Sequence, residues 1–246
     1  MKISLFMIPM LKTFLYNKYS KHSILGYSIS KKIVNENYRN NMIYYDNKDF
    51  INKNSTINCE HVCSQVFFEH KEPMKSDLHI LFSSNAKINS HRQSYKFDII
   101  KDNYDILDND GNKIPLNPTK SLKFSKKNSK RKVFEPPNLD KGIIARSCSY
   151  FYLIYPNYSH KLHQMINKDQ LLEWNSKYLV NFRQIFWNEI IYHYQKNINP
   201  FIRYPILVEI MLSERINIGR IFRLSINTFY AIIVSLYAKM IIKSIL

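Results

Sequence analysis

The chain has 246 residues, of which 45% are hydrophobic and 14% aromatic, enough to build a full-sized core, and its net charge of +17 favours a polyanion or an anionic membrane surface over an acidic partner. A solvated basic surface is the bland alternative. With only four glycines and no G-x-G-x-x-G, P-loop or G-x-S-x-G pattern, dinucleotide or nucleotide cofactors and glycine-cradled phosphates are not expected.

Residues 1–20 open with Lys2 and an apolar run, Ile3 to Leu11, interrupted by Pro9. The basic start and apolar centre fit a targeting segment, but no Ala-x-Ala follows, so an untargeted extension stays open. Residues 21–57 are rich in Asn, Lys and Tyr and read as an irregular lead-in, with Ile43-Tyr44-Tyr45 touching the core. Asn58 to Phe67 suits a strand, and Asp77 to Phe82 is a second apolar run. Ser83-Ser84-Asn85 then caps a helix over about 86–92, with Asn89 facing inward and Arg92 one turn later on the same side.

Residues 96–132 pass through Asp-rich turns into a basic stretch containing Lys120, Lys123, Lys126, Lys127, Lys130, Arg131 and Lys132. The expectation is a loop that contacts a phosphate backbone through Lys126 and Lys127; a disordered surface loop or a localisation patch are the alternatives. Phe134-Glu135-Pro136-Pro137 ends that loop, and a helix runs from about Ile143 to Tyr155 with Ile144, Phe151 and Ile154 facing the core. Arg146 on it holds either a phosphate or Glu135, the ion pair being the preferred role. Asn167 caps a further helix, and another covers about 181–195. Trp174, Phe186 and Trp187 read as core, and His193 as an ordinary helix histidine. Residues 206–246 are apolar and helix-compatible, open to three readings: a packing helix, a tail anchor, or an interfacial helix on anionic lipid.

The chemistry concentrates in residues 58–95, around Asn58-Cys59-Glu60-His61 and Asn89-Ser90-His91-Arg92. Hydrolysing a phosphodiester needs an activated water, charge neutralisation and stabilisation of the departing oxygen. His61 titrates near neutrality and can take a proton from water. Glu60 and Asn89 are hard oxygen donors suited to Mg²⁺, with Ca²⁺ or Mn²⁺ as alternatives, and two protein ligands suffice for such an ion. Neighbours on a strand point to opposite faces, so Glu60 and His61 share a site only if the strand ends or bends there. Cys59, Cys63 and Cys148 make an odd count with no disulfide framework, and Cys59-Glu60-His61-Val62-Cys63 lacks the second ligand pair that structural zinc requires.

Five ordered segments, NCEHVCSQ (58–65), MKSDLHILFSS (74–84), INSHRQSYKF (88–97), FEPPNLDKGIIARSCSYF (134–151) and QKNINPFI (195–202), resemble the endonuclease I family of ββα-metal, His-Me finger nucleases. The resemblance covers about residues 55–205. It implies His61 as general base, Glu60 and Asn89 as metal ligands, and nonspecific cleavage of DNA, and of RNA, to 5′-phosphate ends. The implied fold is α+β: a ββα-metal core of a small hairpin plus helix, packed against several helices. Residues 1–54 are then an N-terminal extension and 206–246 a helical C-terminal one. Arg92, Arg146, Lys75, Lys126 and Lys127 are the expected nucleic-acid contacts, and His79 and Glu135 the supporting polar groups. The family suggests a secreted or organellar protein, with membrane attachment through the C-terminus as an option. Departures are also readable: Cys63-Ser64-Gln65-Val66 replaces Trp-Pro-Gln-Ser, Ile80 replaces a second His, and only Trp187-Asn188 remains of a Glu…Arg-Asn motif. They motivate an alternative, a nucleic-acid-binding protein of the same fold without turnover.

Overall fold

The computed structural model describes residues 7–45, 56–116, 122–213 and 217–245. Residues 1–6 of the leader-like run, residues 46–55 of the lead-in, Lys120 and Arg215 lie outside these. The chain is mixed helix and sheet, as the α+β expectation requires.

Helix α1 (Met7–Tyr19) carries Pro9 in its first turn, where a missing N–H costs nothing, and buries Leu15 and Tyr19. The polar lead-in is not irregular: it forms α2 (Tyr27–Glu36) and the short α3 (Tyr38–Asn41). Ser30, Ile33 and Val34 supply a narrow buried stripe on α2 that the Asn/Lys/Tyr composition conceals. The following Ile43, Tyr44 and Tyr45 are buried, as expected.

Strand β1 (Ile57–His61) pairs antiparallel with β2 (Leu81–Asn85), setting Glu60 opposite Phe82 and His61 opposite Leu81. The expected strand to Phe67 therefore stops at His61. Helix α4 (Ala86–Arg92) leaves β2 directly, because the Asn85 side chain accepts from the Lys87 and Ile88 N–H groups and nucleates the first turn.

The described residues between 96 and 135 carry a five-stranded sheet where the sequence suggested a basic loop. Strands β3 (Lys96–Phe97), β4 (Asp105–Leu107), β5 (Lys113–Ile114), β6 (Ser125–Asn128) and β7 (Val133–Glu135) adopt the order β3-β7-β6-β4-β5. Only the β3–β7 pair is parallel. Lys126 and Lys127 lie in β6, so their side chains alternate across the sheet.

Pro137 precedes α5 (Asn138–Ile154), which is buried on nearly every side. Around it lie α6 (Leu162–Met165), α7 (Lys168–Lys177), α8 (Phe182–Gln195) and α9 (Pro200–Arg203), with Asn167, Asn181 and Asn199 capping the last three through their side chains. Trp174 and Trp187 are core residues. Helices α10 (Ile206–Leu212) and α11 (Ile218–Ile245) complete the chain, α11 lying along α8. One hydrophobic cluster runs from Leu15 to Ile242, so both terminal segments pack on the same core as the hairpin.

Candidate active site

The site begins where β1 ends. Successive side chains leave a strand on opposite faces, and the partners of Glu60 and His61 differ accordingly. Glu60 is buried; its Oε1 accepts a 3.1 Å hydrogen bond from the Tyr44 hydroxyl and lies 3.3 Å from Arg92 Nε. Burial raises its carboxyl to about 7, with Arg92 and the Tyr44 hydroxyl pulling the other way. Both contacts fall on Oε1.

His61 faces α2. Its ring stacks on Tyr27 with centroids 5.6 Å apart and tilts against Phe68. Its Nε2 sits 2.9 Å from the Lys75 carbonyl oxygen. A carbonyl can only accept, so neutral His61 carries its proton on Nε2 and keeps the lone pair on Nδ1. Burial lowers the imidazole to about 4, opposed by the Lys75 hydrogen bond. The ring is thus neutral at physiological pH, in the protonation state a base needs, but only 5% of the residue is exposed.

Asn89 comes to the same strand from α4. Its Nδ2 donates to the Cys59 carbonyl at 3.2 Å, one residue before Glu60, which leaves Oδ1 as the donor atom for a ligand. Arg92, one turn on, is fully committed: NH1 donates to the His61 carbonyl at 3.2 Å, NH2 to the Val62 carbonyl at 2.7 Å, and the guanidinium lies over the Phe97 ring. At 1% exposure it clamps the end of β1 and does not reach a phosphate, correcting the expected contact. Glu60 Oε2 and Asn89 Oδ1 are hard oxygen donors, the donor type that a Mg²⁺-like ion takes. Among the described residues no group of three or more His, Cys, Asp or Glu gathers at one place, so Cys59 and Cys63 have no zinc-like ligand set around them.

The other expected site residues lie elsewhere. Lys126 is buried in an ion pair with Glu135 at 2.9 Å, and Lys141 joins the same carboxylate at 2.6 Å. Glu135 is therefore satisfied by two lysines and the Ile100 N–H, and Lys126 is not free for a phosphate. Arg146 is fully buried and pairs with neither phosphate nor Glu135. It donates to Gln184 Oε1, Asn175 Oδ1 and the Tyr178 carbonyl, and burial lowers it to about 9. His79 is buried with Nε2 3.2 Å from Asn197 Oδ1, beside Asp77, whose carboxylate accepts from Tyr150, Tyr155 and Gln195. This network ties the loop after β1 to α5 and α8 and is structural.

Lys75 and Lys127 keep partly accessible cations: Lys75 Nζ is 5.3 Å from the Tyr27 ring centre, and Lys127 Nζ 5.4 Å from that of Tyr95. Tyr27 and Tyr44, which seat the imidazole and the carboxylate, went unrecognised as site residues. They come from the N-terminal segment, far from the motif, and no spacing announces them.

A family model described as Endonuclease I matches residues 10–206. A relative named Endonuclease-1, from Buchnera aphidicola subsp. Baizongia pistaciae (strain Bp), is 29% identical over 134 residues, 53% of this chain and 47% of that protein. The chain thus spans about half the length of this curated relative.

Proposed function

The chain belongs to the endonuclease I family, and from that premise we propose that it is a metal-dependent, nonspecific endonuclease acting on DNA, RNA being a further substrate to test, whose β1–β2–α4 unit is a ββα-metal core. The observation that supports this most directly is that the Asn89 amide rests on the carbonyl preceding Glu60, on the strand that also carries His61. Glu60 Oε2 and Asn89 Oδ1 would hold the ion. When bound, Mg²⁺ supplies the positive charge that stabilises the leaving 3′ oxygen. His61 Nδ1 takes the proton of the attacking water, the Lys75 carbonyl fixes the tautomer through Nε2, and the phosphate stays on the 5′ side. Lys75 and Lys127 are the cations placed to meet the backbone.

Plasmid nicking in Mg²⁺ tests the reading. Cleavage should disappear with EDTA and fall by on the order of 10²–10⁴-fold in His61→Ala, while DNA binding and the circular dichroism spectrum are retained. Unchanged nicking by folded His61→Ala would refute the assignment.

A second reading has its own observation: Tyr27 covers His61 and leaves it barely exposed. On that reading the fold binds nucleic acid without turnover. Salt-sensitive DNA binding by wild type, with intact DNA after long incubation in Mg²⁺, distinguishes it.

A further inference from the structure

Helix α11 is docked on one side only and presents a largely apolar face outward. Leu224, Ala231, Ala238 and Ile242 are buried, the two alanines packing into a small cluster with Val180 and Ile185. At about 100° per residue, Phe222, Ile226, Phe229, Ile233, Leu236 and Met240 fall within an arc of about 80° directly opposite that buried face. All six are exposed. Their stripe is about 27 Å long, well beyond the scattered apolar residues of an ordinary surface. The helix contains no acid; of its cations, Arg220 pairs with Glu209, while Arg223, Lys239 and Lys243 lie exposed on the flanks of the stripe.

We propose that the outward face of α11 is a membrane-docking surface, lying in the headgroup plane of a bilayer rich in anionic lipid. The charge pattern selects this occupant. Lysines and arginines flanking an apolar stripe reach phosphate headgroups while the stripe enters the acyl boundary, and the chain's charge of +17 draws the whole molecule to the surface. A second copy of the chain would instead set cations against cations with no acid to neutralise them.

By length and composition α11 could also cross a bilayer. Its inner face argues for lying flat. Asn227 makes a reciprocal pair with the Val180 backbone, accepting at 2.9 Å and donating at 3.2 Å. The Ser235 hydroxyl donates to Glu189, and Arg203 reaches Ser235 at 3.0 Å. Spanning would break these bonds and carry Asn227 and Ser235 into hydrocarbon. The inference stands on α11 alone and does not depend on the nuclease reading.

Flotation of the full chain with phosphatidylcholine vesicles, with and without phosphatidylglycerol, tests it beside the charge-neutral variant Phe229→Ser/Ile233→Ser/Leu236→Ser. Wild type should float with the phosphatidylglycerol vesicles and stay bound at raised salt. The triple variant, with an unchanged thermal midpoint because its sites are exposed, should bind about tenfold or more weakly and be released by salt. A Phe229→Trp reporter should be quenched by lipids brominated near the headgroup rather than at the chain ends. Equal binding of wild type and variant, or quenching deepest at the chain ends, overturns the proposal. So does a wild-type dimer in light scattering that the triple variant abolishes, without vesicle binding.

Discussion

His79 shows what a buried ionisable residue does to stability. Burial holds its pKa down to about 4, against the pull of Asp77, whereas an unfolded chain would titrate it near 6.5. Between those values the unfolded state binds a proton that the folded state refuses, so stability is present above about 6.5 and is lost as pH falls towards 4. The full window corresponds to roughly 3 kcal/mol. Glu60, raised to about 7, shifts with the opposite sign, so the comparison of variants isolates His79. Urea midpoints at pH 7 and pH 4.5 should drop less in His79→Gln than in wild type; parallel drops would remove His79 as the cause. At this scale the sequence was readable where the signal is local: Asn89 comes from α4 onto the strand that carries Glu60 and His61, although those two strand neighbours face different surroundings. It misled for Arg92, Arg146 and Lys126, because a positive side chain suggests surface and only the fold reveals the carbonyls, amides and carboxylate that receive it inside.

Among the elements, α4 matters most to the site and is short, with seven residues and one side-chain cap. Asn85→Ala should cost about 1 kcal/mol of stability, read from urea unfolding, since two N–H groups lose their acceptor. A change within a few tenths would mean that packing of Ile88 and Arg92 alone holds the helix. The cap was legible in the sequence, as was the capping run that begins at Asn167, because an N-cap is a local signal; the Asn181 cap was not singled out. The five-stranded sheet was not. Its strands are two to four residues long, β6 is Lys-rich, and the parallel pairing of Lys96–Phe97 with Val133–Phe134 joins segments far apart in the chain. Helix α2 is hidden for a different reason, its buried stripe being Ser30, Ile33 and Val34 in a polar sequence.

For the molecule as a whole, the terminal segments are parts of one packed body. Removing everything after Pro205 would uncover Val180 and Ile185 and strip Glu189 of its Ser235 partner. The truncated chain should melt about 10 °C lower in a calorimetric or dichroism scan. An unchanged midpoint would show α11 to be only loosely attached. The long-range core connections could not be read from sequence, since the loop after α1 is held to the end of α8 by a bond from Ser23 N–H to the Gln195 carbonyl and another from Asn197 to the Tyr19 carbonyl. The two phenols of Tyr27 and Tyr44, both lent by that early segment, carry a practical corollary. The hairpin and its helix are not a portable cassette: transplanted onto a foreign scaffold from residue 57 onward, they would arrive without the roof over the imidazole and without the hydroxyl that greets the carboxylate.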